Sequence, residues 1–466
     1  MARAPSVLTE TAPIPGFAAA AGPSTCRTSR RISGVLIAIF IAAGGFSRGS
    51  EDLWRQVHFL VAAMAIPYLA LGHGALLMRS LRLCWPMLLF VVLGLCVTVA
   101  EGALFERDTL KGLWYATRIP VYVSFGILLT VRMVSPGWIT DVLLLAGAIL
   151  AFHFLYMYYT DPNVADADRL YIRSQIGHGA LASAFAIVLA FHKLFIEKKV
   201  GVLSGLLVVG AIIVMATSII LSDSRSHLYE PAILLLFIFG VIPSAWFGRT
   251  MALLFLIALA ILTTPALQFF VAPGDLDRLS SALPDSLNEL IAMERADDGE
   301  INTYWRGYET FNAFSLVTQQ GYDSILFGLG LHGAVTIPNT PLDLGDPVTG
   351  AIPLFHNGFA FAYVRAGLLG IALFIWQHLV FASESKPLLR SRDPGTRFFG
   401  RLYCGLMMLM IIKIATTTGF LNYGEEGSTS CILLGLLIGF AWNVCGGLTA
   451  SPLVPAKSSK LPVSIG

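Results

Sequence analysis

The sequence has little charge. Only 13% of its 466 residues are Asp, Glu, Lys or Arg, whereas 56% are hydrophobic and the mean hydropathy is +0.72. About a quarter of the residues of a soluble domain are charged, so this composition excludes an ordinary soluble domain and is typical of a polytopic membrane protein. The formal net charge of +2 is close to neutral, so the composition shows no excess of basic residues of the kind that binds nucleic acid.

Several site signatures are also missing. None of the six cysteines lies in the long polar segment 272–355, and no pair has the spacing of metal ligands. The chain has no Walker loop, no dinucleotide fingerprint, no DxD-type cluster set for a nucleotide sugar and no defensible Ser-His-Asp triad. We therefore expect no disulfide framework, no metal and no soluble cofactor.

Long apolar runs are abundant instead. A helix needs about 20 apolar residues to cross a bilayer, and on that measure the chain has twelve candidate spans, which predicts an all-α fold. The spans lie near 32–48, 57–78, 84–104, 113–132, 138–159, 177–196, 201–222, 228–246, 250–271, 356–382, 400–419 and 429–448. The span 113–132 has the weakest pattern, because Arg118 and Pro120 interrupt it.

The loop charges predict which ends face the cytoplasm. Connections on one side carry most of the basic residues, including the cluster at 386–401, and those on the other side carry most of the acids. This is the positive-inside pattern, and it places both termini in the cytoplasm. The predicted organisation is a cytoplasmic tail, nine membrane helices, one large outer loop, three more helices and a second tail. These segments are 1–31, 32–271, 272–355, 356–448 and 449–466.

The outer loop 272–355 is the only extramembrane segment large enough to fold. Apolar and aromatic residues recur at helical spacing over 285–320, which predicts one or two amphipathic helices on the membrane surface. The segment 328–354 is rich in Gly, Pro, Asp and Thr and is typical of an irregular loop.

Four arginines on or near the predicted outer face are candidate anion ligands. Arg225 follows Ser224 in a short turn between two spans, where a guanidinium and a helix N-terminus both favour a phosphate. The alternative is an arginine that reaches the interface and pairs with Asp223 or Glu230. Arg306 lies in the outer loop, where its alternative is a solvated helix face. Arg173 precedes the sixth span, and Arg118 lies in or near the fourth, where a charge needs a cavity or a partner.

One histidine stands out from the other outer histidines. The spacing of His178, His227, His332 and His356 matches no metal-ligand pattern. His356 is followed at once by Asn357 at the mouth of a predicted helix. A neutral imidazole there is suited to take a proton from a hydroxyl group, although a helix-capping role is the simpler alternative. Gly367 and Gly370 follow in the same helix, where close helix packing is the expected role whatever the function.

In this order, these residues resemble the O-antigen ligase and polysaccharide polymerase superfamily. The resemblance covers about 170 to 370 and rests on four pieces: Arg173 before the sixth span, Ser224-Arg225 after the seventh, Arg306 followed by Phe327-Gly328-Leu329-Gly330, and His356-Asn357, nine residues, Gly367, two residues and Gly370. The last piece matches the ligase motif completely. The chain departs from the family at Leu326-Phe327, where a proline often stands, and at Arg365, where the family often has an acid. These departures leave the subfamily open.

The resemblance implies metal-independent glycan transfer at the periplasmic face of a bacterial inner membrane. The donor would be a glycan on undecaprenyl pyrophosphate, and the acceptor a hydroxyl of a glycolipid such as the lipid A core. By the match, Arg225 and Arg306 bind the pyrophosphate, Arg173 and Arg118 are further candidates, and His356 acts as general base or positions the acceptor. Asn357, Gly367, Gly370 and Ser224 support the motif.

Other functions remain open at this point. A polymerase of the same superfamily would extend a second lipid-linked glycan, and a protein O-oligosaccharyltransferase would use a Ser or Thr hydroxyl as acceptor. A transporter or flippase for a lipid-linked sugar would use a similar basic cavity, but it predicts charges distributed through the spans and an internal repeat. The candidates here cluster at one face, which favours an enzyme.

Overall fold

The structure is a computed structural model of the chain. It describes residues 34–43, 51–71, 73–132, 136–162, 164, 179–195, 201–222, 225–243, 247–249, 251–253, 255–256, 301–336, 351–352, 356–417, 419–421 and 425–444. Within these ranges the fold is helical, as the composition predicts. The helices are α1 Gly34–Ala43, α2 Glu51–Ala70, α3 Gly74–Leu83, α4 Trp85–Ala100, α5 Arg107–Arg132, α6 Pro136–Thr160, α7 Ala180–Phe195, α8 Val202–Leu221, α9 Arg225–Ile238, α10 Ile301–Gln319, α11 Tyr322–Phe327, α12 Gly358–Ser383, α13 Lys386–Arg390, α14 Pro394–Thr417 and α15 Glu425–Val444. A 3₁₀ turn, Gly419–Leu421, separates the last two.

Four helical segments are long and apolar enough to cross a membrane: Gly137–Thr160, Val202–Leu221, Gly358–Arg390 and Glu426–Val444. A fifth is obtained if α3 and α4, which meet at a bend of 67°, form one broken span. Within the described residues, the other spans predicted from the sequence do not form helices that combine this length with so apolar a composition. The predicted span 250–271 lies largely outside them, so the number twelve stays a prediction.

The apolar surface of α8 is typical of contact with lipid. Val202, Leu203, Leu206 and Leu207 are all exposed, although they are aliphatic. By contrast, α12 and α15 are mostly buried by their neighbours. An apolar helix on the outside of a helical bundle is unfavourable in water and favourable in a bilayer. This distribution supports a membrane protein in which α8 is peripheral and α12 and α15 are central.

Small residues bring α5 and α15 into close contact at the centre. A Cβ atom on Gly435 would lie 2.3 Å from the Val123 carbonyl oxygen, and one on Gly126 would lie 2.5 Å from the Ile432 oxygen. Gly439 stands four residues after Gly435 and approaches Thr130 in the same way. Small residues four apart let membrane helices approach closely. Pro120 lies inside α5, which is unbroken.

The segment 301–336 packs against the protein instead of lying free on a surface. In α10, the side chains of Tyr308, Ala313 and Val317 are buried, and the Phe314 ring stacks on Tyr363 of α12 with 4.3 Å between centroids. A two-residue antiparallel pairing follows, between β1 Val335–Thr336 and β2 Ala351–Ile352. The prediction of a helix within 285–320 is therefore confirmed at Ile301–Gln319, where Phe314 packs on α12. Its place on a membrane surface stays a prediction. Residues 272–300 and 337–350 lie outside the described part.

Candidate functional site

The site is built around the start of α12. Asn357 is the N-cap of this helix, and its Oδ1 accepts hydrogen bonds from the backbone N–H groups of Phe359, at 2.9 Å, and Ala360, at 3.4 Å. An Asn in this position satisfies donors that the first helical turn leaves unpaired. The capping role considered for His356 thus belongs to its neighbour, and the imidazole is not used for it.

His356 is held by a buried carboxylate of α10. Its backbone N–H donates to Glu309 Oε2 at 2.8 Å, and its Nδ1 lies 3.3 Å from the same oxygen. The Glu309 side chain is completely buried, whereas 34% of the His356 side chain is exposed. A carboxylate that carries no proton only accepts hydrogen bonds, so beside such a group an imidazole donates from Nδ1 and keeps its lone pair on Nε2. The two contacts with Glu309 hold the partly exposed imidazole in one orientation.

The same helical face of α10 brings Arg306 close to this pair. Arg306 is half-buried and precedes Glu309 by three residues, which places the two side chains on neighbouring turns of one face. Thr310 donates to the Arg306 carbonyl at 2.7 Å and accepts from the Asn357 side-chain amide at 3.4 Å. Two adjacent contacts, Glu309 to His356 and Thr310 to Asn357, therefore fasten the arginine-bearing helix to the start of α12.

The Gly367 of the motif lies where α12 breaks. Ala366 and Gly367 have non-helical backbone angles, and Gly367 has φ +63° and ψ −155°. A Cβ on Gly367 would lie 2.3 Å from the Leu326 carbonyl carbon, and a Cβ on Gly328 would lie 2.5 Å from the Ala366 nitrogen. The backbone of Leu329 also donates to the Val364 carbonyl at 2.7 Å. The Gly-x-Gly segment and the helix break therefore interlock, which explains why both glycine motifs occur together.

Gly370 and Arg365 have packing roles around this break. A Cβ on Gly370 would lie 2.5 Å from the Ala362 carbonyl oxygen. Arg365 is fully buried, and its guanidinium donates to the Leu331 carbonyl and lies 5.5 Å from the centroid of the Phe361 ring. The arginine that departs from the family pattern is therefore part of the contact between α12 and the segment that follows α11.

Arg118 lies in a different environment, on α5. It is buried, and its guanidinium carbon lies 5.3 Å from the Trp114 ring centroid and 5.9 Å from that of Tyr122. Cation–π contacts of this kind stabilise a desolvated guanidinium. The helix α5 packs mainly against α15 and α2, so these contacts do not join Arg118 to His356.

Arg225 is the first residue of α9, and its side chain lies outside the described part, as do Ser224 and Arg173 altogether. The helix α9 packs mainly against α14 and α7. The described contacts therefore bring His356, Asn357 and Arg306 together, with the glycines behind them. They leave the proximity of Arg225 and Arg173 to this group a prediction.

A second polar cluster anchors α9. Lys413 Nζ lies 2.7 Å from Glu426 Oε2 and also contacts Glu230 Oε1, and His227 Nε2 lies 3.3 Å from Glu426 Oε1. The His227 Nδ1 lies 2.8 Å from Ser222 Oγ at the end of α8. Lys413, Glu230 and His227 are buried. The cluster thus joins α8, α9, α14 and α15.

Sequence reasoning missed Glu309 and the cluster around Lys413. The available signals were spacing and hydropathy: Glu309 follows Arg306 by one helical turn, and Lys413 and Glu230 stand inside the predicted spans 400–419 and 228–246. An ionisable residue within a membrane span is costly and has a partner or a function. Neither signal names the partner, because the contacts join distant parts of the chain.

The described fold and site define a broad class of protein. The chain is a helical protein with apolar helices of membrane-spanning length, and a partly exposed histidine is held by a buried carboxylate beside a half-buried arginine. No protein-family model matches the chain, and no curated protein matches it either.

Proposed function

We propose that this protein is a glycosyltransferase that moves a glycan from undecaprenyl pyrophosphate to an acceptor hydroxyl, as an O-antigen ligase does. The single observation that carries the proposal is the pairing of His356 with Glu309, one helical turn from Arg306. A histidine that presents Nε2 as a base suits proton removal from a hydroxyl, and a nearby guanidinium suits an anionic leaving group. The motif resemblance points to the same chemistry.

In the proposed reaction, the acceptor oxygen attacks the anomeric carbon of the donor glycan. The new carbon–oxygen bond forms as the bond from that carbon to the pyrophosphate oxygen breaks, and undecaprenyl pyrophosphate leaves with the bonding electrons. The acceptor proton passes to Nε2 of His356, and Glu309 stabilises the imidazolium that results. Arg306 and Arg225 stabilise the charge on the pyrophosphate, with Arg173 and Arg118 as further candidates. A single direct attack of this kind inverts the configuration.

The proposed setting is a bacterial inner membrane. Twelve spans would place both termini in the cytoplasm and the loop 272–355, with His356, at the periplasmic face. The donor arrives already activated in the lipid, so the proposed reaction uses neither a nucleotide nor a metal. The acceptor we favour is a lipid A core. A polymerase differs only in using a second lipid-linked glycan as acceptor, and a flippase would move the donor without making a new bond.

The test is transfer by the purified protein in lipid nanodiscs, supplied with an undecaprenyl-pyrophosphate glycan and with separate lipid A core and lipid-linked glycan acceptors. We expect a covalent product with wild type and a loss of about 100-fold or more with His356→Ala. His332→Gln is the matched control, since His332 also pairs with a carboxylate, Glu101, with 2.9 Å between Nε2 and Oε2.

The outcomes separate the candidate functions. Equal transfer by wild type and His356→Ala would exclude the base role. Product with only the lipid-linked glycan acceptor would identify a polymerase. Movement of the donor across the bilayer without any product would identify a transporter. If a positive charge alone is enough to bind the pyrophosphate, Arg225→Ala should raise the donor KM far more than Arg225→Lys. If the arginine binds it through two hydrogen bonds, both variants should raise the donor KM to a similar extent, because lysine cannot make that bidentate contact.

A further inference from the structure

Two segments that are far apart in the sequence place basic side chains at one end of the helical bundle. The first is α3, and the second is the connection 384–401, which leads from α12 through α13 into the first turns of α14. Gln377, near the end of α12, joins the two. Its Nε2 donates to the Leu83 carbonyl at 3.1 Å, and its Oε1 accepts from the Met87 N–H at 3.2 Å. The bend between α3 and α4 therefore lies beside the end of α12.

A second contact joins the charged parts of these segments. The guanidinium carbon of Arg79, on α3, lies 3.9 Å from the centroid of the Trp442 ring of α15. The Trp442 Nε1 in turn donates to Glu384 Oε2 at 2.7 Å, at the start of the connection. Trp442 thus links α3 to the connection, so the basic residues of both segments contribute to one surface.

The exposed charges of these two segments are mostly positive. Their exposed basic residues, which we call the basic surface, are Arg79, Arg82, Lys386, Arg390, Arg392 and Arg397. The sequence of α3 contains no acid, and the connection contains only Glu384 and Asp393. Glu384 accepts from Trp442, and Asp393 Oδ2 accepts from the Thr396 N–H at 2.6 Å and from its hydroxyl at 2.7 Å. The two segments therefore present an excess of positive charge to their surroundings.

The position of the basic surface fits the headgroup region of a bilayer. Basic residues stand at the end of Gly358–Arg390, one of the segments long and apolar enough to cross a membrane. The helix α3 meets α4 at a bend of 67°, so α3 lies closer to the membrane plane if α4 crosses the membrane. Leu76, Ser80 and Leu83 form the buried face of α3, and both of its arginines are exposed. An amphipathic helix with a basic polar face is typical of the membrane interface.

Exposed apolar side chains stand close in sequence to the cations. Met78 and Trp85 flank the two arginines of α3, and Trp376 and Leu379 precede the connection on α12. A phospholipid combines a phosphate with acyl chains, so it can use both kinds of side chain, whereas a soluble phosphate can use only the cations. This combination favours a lipid as the occupant.

We infer that the basic surface binds the headgroups of anionic phospholipids. Lys and Arg next to a membrane helix attract negatively charged headgroups, and a guanidinium binds a phosphate through two parallel hydrogen bonds. The predicted topology places this end of the bundle in the cytoplasm, where the membrane leaflet carries anionic lipid. The inference does not depend on the proposed transfer reaction, whose residues belong to other parts of α10 and α12.

The test is a titration of the full-length protein, purified in an uncharged detergent, with dioleoyl phosphatidylglycerol or dioleoyl phosphatidylcholine. Native mass spectrometry gives the Kd of each lipid. We expect wild type to bind phosphatidylglycerol roughly tenfold more tightly or better, because only this headgroup has a net negative charge. Each basic residue near a membrane surface contributes about fivefold, so Arg390→Gln with Arg392→Gln should raise the Kd for phosphatidylglycerol roughly 25-fold. Arg107→Gln with Lys111→Gln, at the start of α5, is the matched control and should leave it unchanged.

Each of three results would overturn the inference. The first is an equal Kd for the two lipids in wild type. The second is an equal loss of affinity in the two double variants, because binding would then follow total charge and not this surface. The third is displacement of phosphatidylglycerol by inorganic phosphate but not by sodium chloride of the same ionic strength, which would indicate a site for soluble phosphate.

The variants of the basic surface replace exposed side chains and should fold. If the thermal unfolding midpoint of Arg390→Gln with Arg392→Gln falls below that of wild type, Arg82→Gln replaces it in the same titration. This single substitution should raise the Kd for phosphatidylglycerol about fivefold, and an unchanged Kd would refute the part of α3 in the surface.

Discussion

Alanine in place of Gly367 tests the break in α12 most directly. The Gly367 backbone, with φ +63° and ψ −155°, lies in a region that is essentially restricted to glycine. Forcing a residue with a side chain into such a region costs about 1–3 kcal/mol. Alanine is the smallest residue that adds a Cβ, so this substitution isolates the backbone and contact terms.

Steric overlap adds to the backbone strain. The new Cβ would lie 2.3 Å from the Leu326 carbonyl carbon and 2.4 Å from its oxygen. These are backbone atoms and cannot rotate away, so α11 or α12 must shift, at about 1–3 kcal/mol for an overpacked site. The two terms together give roughly 2–6 kcal/mol, a large part of a typical stability of about 5–15 kcal/mol.

Gly210→Ala is the matched control. Gly210 lies inside the apolar helix α8, and a Cβ there would meet nothing within 4 Å. Alanine is favoured over glycine in a helix by about 1 kcal/mol, so this variant should be as stable as wild type or more stable. The measurement is the thermal unfolding midpoint in detergent, followed by tryptophan fluorescence. Equal midpoints for the two alanine variants would refute the described break and its contact with Leu326.

Three further predictions concern single hydrogen-bonded groups. Glu309→Gln should lower kcat for glycan transfer about 100-fold while the donor KM changes little, because the amide no longer stabilises an imidazolium; wild-type kinetics would contradict this. Asn357→Ala should destabilise the protein by about 1 kcal/mol through loss of the cap on α12, and Asn357→Asp should retain most of that stability in thermal melts. Hydrogen bonds from the Thr396 hydroxyl and backbone N–H hold the pKa of Asp393 below its ordinary value. A carboxyl group whose pKa is lowered by folding stabilises the fold at pH values above its ordinary pKa. This stabilisation is lost as the pH falls through the lowered pKa. Asp393→Ala should therefore melt earlier than wild type at neutral pH, and the difference should vanish in acid.

The sequence predicts the helices better than it predicts their breaks. The span expected at 57–78 instead contains the end of α2 and the start of α3, separated near His73. Hydropathy averaged over about 20 residues cannot resolve such a break, because both sides are apolar. Pro120, by contrast, does not break α5, which is one helix from Arg107 to Arg132. Neighbouring helices in a membrane protein stabilise a helix that contains proline.

The site divides in the same way into local and distant features. His356, Asn357, Gly367 and Gly370 could be singled out because they follow one another along a single helix. Glu309 could not be paired with His356, since 47 residues separate them and their contact depends on how α10 docks onto α12. A carboxylate in a polar loop has many candidate partners, and only tertiary packing selects one.

The two arginines that we propose bind the pyrophosphate are held by different parts of the fold. Arg306 is joined to His356 through α10 and the start of α12, whereas Arg225 begins α9, which is anchored to α14 and α15. Contacts between α12 and α14 connect the two halves: the Tyr403 hydroxyl of α14 donates to the Phe381 carbonyl of α12 at 2.5 Å. A site that needs both arginines therefore depends on the α12–α14 interface, which contains neither. Substitutions at that interface should weaken donor binding and transfer together, whereas loss of Glu309 should affect transfer alone.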